Sequence, residues 1–182
     1  EAITGNLSGQ TDLQTALDAK SNKVPFICQD IDYPLTSQTA LQKAFSVTGA
    51  TGGAFTAVAG GLYRFRGLIE LAALSTTSSN IQFGFLGTAT LTRIFWQAQS
   101  AKATQGQGSD NVTRASVATA TVVTASSAAA LGFIEFRGIV KINAGGTFIP
   151  AVGMSVAAAA TTKAGSYFEI ELMSDPFQGA FT

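Results

Sequence analysis

From position 24 onward apolar residues recur with a two-residue period, and that period predicts strands. Ile81, Phe83 and Phe85 alternate with Gln82 and Gly84, and Phe168, Ile170 and Leu172 alternate with Glu169 and Glu171. The pattern predicts strands over 26–33, 54–59, 62–73, 81–85, 91–98, 112–124, 136–142, 147–156 and 167–173. Small-residue turns such as Gly60-Gly61 and Asn143-Ala144-Gly145-Gly146 separate them. Pro150 falls inside one strand and demands an edge or a bulge, because it has no N–H to give a ladder.

One stretch occurs twice. Phe65-Arg66-Gly67-Leu68-Ile69-Glu70-Leu71 returns as Phe136-Arg137-Gly138-Ile139-Val140-Lys141-Ile142. The two copies are either an internal repeat or two buried strands drawn from the same few residue types. In both, Phe, Gly, a branched residue and Leu or Ile fall on one face, which is core. The opposite face carries Arg, then Leu or Ile, then Glu or Lys, and suits a surface partly covered by something else.

Two segments break the β pattern. Thr11-Asp12-Leu13-Gln14 has the form of a capping box, and Leu13, Ala16 and Leu17 follow at helical spacing. A helix this short is marginal in water, so its apolar stripe needs a partner: the β-domain or the same helix from neighbouring chains. Thr36 or Ser37 caps a second short helix in which Leu41 and Phe45 lie four apart, plugging one end of a sandwich. The expected organisation is a neck over 1–23 and an all-β sandwich head over 24–182. A start at Glu1 without Met, in mid-motif, points to a piece of something longer.

Composition narrows the function. Eleven basic and eleven acidic side chains cancel, which leaves no electrostatic footprint for nucleic acid or an anionic membrane. Charged residues are 12% of the 182, about half the usual quarter, and suggest a surface covered by copies of the chain. Thirteen Phe against one Trp and three Tyr favour core or subunit interface, since Phe has no polar handle. No apolar run is long enough to span a bilayer.

The chemistry on offer is sparse. There is no His, which removes the usual general base and the commonest metal ligand. The single Cys28 excludes a disulfide framework and reads as a small buried hydrophobe. Asp30 and Asp32 would share one strand face, a weak echo of a glycosidase pair. Gly106-Gln107-Gly108-Ser109-Asp110-Asn111 has oxygen donors but lacks the alternating acids of a calcium loop. No cofactor or metal is expected. The candidate binding set is Trp96 with the polar stretch Gln99, Lys102, Gln105, Gln107, Asp110 and Asn111, since aromatic faces stack on sugars and planar amides and carboxylates bond their hydroxyls. A core Trp and a plain surface loop are the alternative for the same residues.

Ile3-Thr4-Gly5-Asn6-Leu7-Ser8-Gly9-Gln10-Thr11-Asp12-Leu13-Gln14-Thr15-Ala16-Leu17-Asp18-Ala19-Lys20 resembles the linker that precedes the distal domain of tailed-bacteriophage tail-fibre proteins. Phe136 to Pro150, followed by Ala164-Gly165-Ser166-Tyr167-Phe168-Glu169-Ile170, resembles the closing strands of the same heads. Gly61-Leu62-Tyr63-Arg64-Phe65 is similar to the Gly-x-Tyr-x-Phe strand of trimeric jelly rolls of the C1q and tumour-necrosis-factor type. These resemblances imply a jelly-roll-like homotrimeric head at the fibre tip of a virion, joined to an upstream shaft through a neck using Leu7, Leu13, Ala16 and Leu17. Its implied task is non-enzymatic attachment to a bacterial surface receptor, a carbohydrate or a protein, without membrane insertion. A structural or adhesive knob of a bacterial or spore surface filament is the alternative, and a tail-associated polysaccharide hydrolase the third.

Overall fold

In the computed structural model, residues 25–46, 53–103 and 111–174 are described, and among them every regular element is a β-strand. In chain order these are β1 (Phe26–Cys28), β2 (Tyr33–Pro34), β3 (Gln42–Lys43), β4 (Phe55–Ala57), β5 (Leu62–Ala72), β6 (Ile81–Leu86) and β7 (Thr90–Ala101). There follow β8 (Asn111–Ala115), β9 (Thr121–Val122), β10 (Gly132–Ala144), β11 (Gly146–Met154), β12 (Thr161–Thr162) and β13 (Tyr167–Ser174). An eight-stranded sheet runs β1-β13-β5-β10-β7-β8, with β12 and β2 attached beside β5. A five-stranded sheet runs β3-β11-β6-β9, with β4 also paired to β11. All pairings are antiparallel. The two sheets enclose one core.

The repeated stretch forms the two central strands, and they lie side by side. β5 and β10 pair so that Phe65 faces Gly138, Gly67 faces Phe136 and Arg66 faces Arg137. A Cβ on Gly67 would lie 2.6 Å from Phe136 Cζ, and one on Gly138 would lie 2.6 Å from Phe65 Cζ. Each glycine therefore makes room for the ring from the opposite strand, and the Phe-Arg-Gly order makes the fit reciprocal. Phe65 and Phe136 then join Phe83, Phe85, Phe148 and Phe168 in a network of ring contacts, with Phe83 and Phe136 at 4.5 Å and Phe85 and Phe148 stacked at 4.5 Å. Rings at such spacing add to the burial term that drives the sheets together.

Pro150 is accommodated by an interruption in pairing. On one side β11 pairs with β6 throughout 149–154. On the other it pairs with β4 at 146–148 and with β3 at 151–152, and Pro150 falls between. Its carbonyl accepts from Ala44 N at 2.9 Å, so its missing N–H points into the gap where no ladder partner is needed.

Four sequence expectations are corrected. The second helix does not form: after Thr36 the chain bends at Ser37, Thr39 and Ala40 and returns, so that Gln42 accepts from Thr36 N at 2.8 Å and donates to Thr36 O at 2.9 Å. That side chain satisfies the backbone groups a helix would have used, and frees 42–43 to pair with β11. Phe45 still fills the core end, fully buried. The strand expected over 26–33 is two pieces, β1 and β2, bridged by the buried Gln29, whose amide donates to Ile31 O and Ser46 O and accepts from Ser46 N. The strand expected over 112–124 is also two, β8 in one sheet and β9 in the other. Between them Val117 O accepts from Trp96 Nε1 and Ala118 O from Phe85 N, which turns the chain across the sandwich edge. Cys28 is exposed rather than buried, because β1 turns Ile27 inward and Cys28 outward. The neck helix, with Leu7, Leu13, Ala16 and Leu17, lies outside the described residues.

Candidate functional site

The outward positions of the eight-stranded sheet line up in rows fixed by the strand register. One row runs Glu171 (β13), Arg64 (β5), Ile139 (β10) and Phe95 (β7). The next runs Glu169, Arg66, Arg137, Gln97 and Arg114, the last on β8. These two rows line a groove of about 850 Å³, open along the sheet surface. Neighbouring strands lie about 4.8 Å apart and successive rows about 7 Å apart, so the groove floor is a grid of known pitch.

The charges on this grid are unevenly partnered. Arg66 Nε lies 2.7 Å from Glu169 Oε2, and Arg64 Nη2 lies 2.5 Å from Glu171 Oε2. The Glu169 carboxylate bonded to Arg66 holds that guanidinium above even its usual high value. Arg137 and Arg114 have no hydrogen-bond or ion-pair partner among the described residues. Arg137 also sits directly opposite Arg66, a like-charge pairing that disfavours the fold. Beside them Phe95 and Ile139 face each other across β7 and β10, 48% and 42% exposed. The groove thus offers two uncommitted cationic forks next to an apolar platform.

The residues expected to form the binding set are dispersed. Trp96 is 3% exposed, packs edge-on against Phe83 at 5.2 Å, and donates its indole N–H to Val117 O at 2.8 Å. It belongs to the core, and it also lines the inner wall of the groove. Lys102 is 5% exposed, and its ammonium donates to Ser75 O at 2.9 Å, Ser79 Oγ at 2.6 Å and Ser127 O at 2.5 Å. It ties the end of β7 to two loops, and burial pushes its pKa below the ordinary lysine value. Gln99 is exposed in the outward row beyond the groove, opposite Val112, whereas Asn111 is half-buried and opposite the buried Ser100. Gln105, Gln107 and Asp110 lie outside the described residues, as does the rest of the glycine-rich run up to Asn111.

Asp32 lies, with Asp30, in the segment between β1 and β2 and not on a shared strand face. It is bonded to Lys163 Nζ and accepts from Ala164 N at 3.0 Å, and these bonds hold its carboxyl below the usual range. No cluster of three or more potential metal ligands occurs among the described residues. The groove residues Arg64, Arg66, Arg114, Arg137, Phe95 and Ile139 were not singled out by sequence reasoning. Their one visible signal is the outward face of the repeat, which mixes Arg with an apolar residue.

No family model matches this chain, and no curated protein matches its sequence.

Proposed function

We propose that the chain is the receptor-binding head of a tailed-bacteriophage tail fibre, a homotrimer that attaches the virion to a glycan or protein on the bacterial surface. The observation that carries this reading is the open groove on the eight-stranded sheet, lined by guanidinium, carboxylate, carboxamide and aromatic groups. Such groups hold ligands by stacking and hydrogen bonding, and the two carboxylates of the lining, Glu169 and Glu171, are bonded to Arg66 and Arg64. The groove serves attachment, not turnover.

The strand order supports a jelly-roll form of the sandwich. Between β5 and β13 the chain passes repeatedly from one sheet to the other, as crossed Greek keys do, and the β7–β8 hairpin extends the larger sheet beyond β10. Exposed apolar residues such as Phe26, Val122 and Leu172, on a chain with few charges, support burial against further copies. The neck and shaft expected upstream fit the same reading.

Two measurements test it. Light scattering on the purified chain should give three times the chain mass of 18.7 kDa. Fluorescently labelled chain should decorate host cells and compete with virion adsorption. A monomer at micromolar concentration removes the trimer; failure to decorate any cell on which the parent virion grows removes the receptor role.

A further inference from the structure

We infer that the groove over β5, β10, β7 and β8 is a site for an anionic saccharide, in which Arg137 and Arg114 bind the acidic group and Phe95 with Ile139 carries the sugar ring. The inference deepens the receptor reading and rests on it only for the ligand being a glycan. Its physical ground is an unbalanced row. Arg66, Arg137, Gln97 and Arg114 stand side by side on four adjacent strands, and Glu169 serves only the first of them.

Placing Arg137 directly opposite Arg66 opposes folding, and although Glu169 pairs with Arg66, no described residue pairs with Arg137 to offset the rest. A carboxylate or phosphodiester lying over the row would do so. Guanidinium forks match the planar oxygen pairs of both anions, and Gln97 between the two arginines offers a donor and an acceptor for a hydroxyl. The platform is one row away, about 7 Å along the strands. That step is about the width of a pyranose ring, so a ring on Phe95 and Ile139 can direct its acidic substituent at Arg137. A neutral glycan would leave both guanidiniums without a partner.

Carboxylate-bearing and phosphodiester-bearing glycans share this chemistry, and titration separates them. The whole chain is titrated calorimetrically with oligogalacturonate, polyglycerol phosphate and neutral dextran, at low and at high salt. One of the two anionic polymers should bind, with affinity that falls as salt rises, and dextran should not. The double variant Arg114→Gln/Arg137→Gln should bind about tenfold to a hundredfold more weakly, as expected for lost charged hydrogen bonds. Its thermal midpoint should match or exceed the parent's, because the like-charge opposition is gone. Phe95→Ala should weaken the same binding and leave the salt dependence intact.

The inference is overturned if neither anionic polymer binds, or if the double variant binds as well as the parent. A change in solution mass of that variant, with unaltered titration, would instead make a second copy of the chain the occupant. If the variant still decorates host cells like the parent, the groove site falls and the receptor reading stands. If the parent binds an anionic polymer through these arginines yet decorates no host cell, the groove stands and the receptor reading falls.

Discussion

β5 and β10 carry nearly the same residues, yet the two faces of this strand pair obey different rules. Inward, Phe65, Gly67, Phe136 and Gly138 are interlocked: each ring occupies the space its partner strand's glycine leaves empty. Outward, Arg66 and Arg137 are equivalent in sequence but not in surroundings, because β13 brings Glu169 beside the first while β7 brings only Gln97 beside the second. Packing makes the copies symmetrical inside. The neighbouring strands make them unequal outside, and a binding surface can be built on that inequality without disturbing the core.

The largest effects should come from breaking the inner face. Phe65→Ala and Phe136→Ala each remove a fully buried ring that touches several others, and should each lower stability by about 3–5 kcal/mol in denaturant unfolding. If the two strands are reciprocal, the losses should be similar, and the double variant should fall short of their sum because the rings share neighbours. Unequal losses would show that one copy dominates the core.

Glycine substitutions sharpen the same point. A Cβ at Gly138 would also meet Phe95 O at 2.3 Å, and one at Gly67 would meet Tyr167 O at 2.5 Å. Backbone cannot yield as a flexible side chain does, so Gly138→Ala and Gly67→Ala should each cost about 2–3 kcal/mol despite adding only a methyl group. Pairing Gly138→Ala with Phe65→Leu should recover part of the ring clash and none of the backbone clash. Full recovery in thermal unfolding would mean that the ring alone demands the glycine.

Much of this core was legible in the chain, and the reasons are local. β5, β6 and β13 alternate between inward apolar and outward residues, so their phase follows from side-chain type. The segment over 112–124 has no such phase: Val, Thr and Ala suit either face, and the break between β8 and β9 is set by Trp96 and Phe85 reaching across from other strands. At 36–45 a capping residue and apolar spacing mimic a helix, while the deciding group is the Gln42 side chain bonded back to Thr36. The groove was hidden for a related reason. Each outward residue can be assigned to its face, but the row from Arg66 to Arg114 exists only through the register of strands distant in sequence.

Lys102 is the charged residue that crosses from the outer rule to the inner one. Its three acceptors sit on loops also joined by the Ser79–Ser127 bridge, by Leu74 N donating to Ala130 O, by Asn80 Nδ2 donating to Thr124 O and by the contact between the Ser78 and Ser126 hydroxyls. Lys102→Met keeps the stem's volume but strands those oxygens, and should cost about 2 kcal/mol. The pH dependence gives a separate readout. Burial lowers the folded-state pKa below the ordinary 10.5, so between the two values the unfolded chain holds a proton the folded chain has lost. Stability should therefore rise with pH through that alkaline window, and Lys102→Met should flatten the rise. An unchanged slope in the variant would assign the dependence to other groups.

The smallest effect is the most direct test of the outer inequality. Arg66→Ala breaks the bond to Glu169, whereas Arg137→Ala removes a cation that has no partner among the described residues and opposes Arg66. The two substitutions should move the thermal midpoint in opposite directions, down for Arg66 and up for Arg137, although the residues match in type and in position within the repeat. Both effects are electrostatic and solvent-exposed, so raising salt from about 0.1 M to about 1 M, which shortens the screening length from about 10 Å to about 3 Å, should bring the midpoints together. If the midpoints stay apart at high salt, packing of the arginine stems accounts for the difference. If Arg137→Ala lowers the midpoint at low salt as much as Arg66→Ala does, Arg137 has an anionic partner of its own, and the row is no longer a vacancy for a ligand's charge.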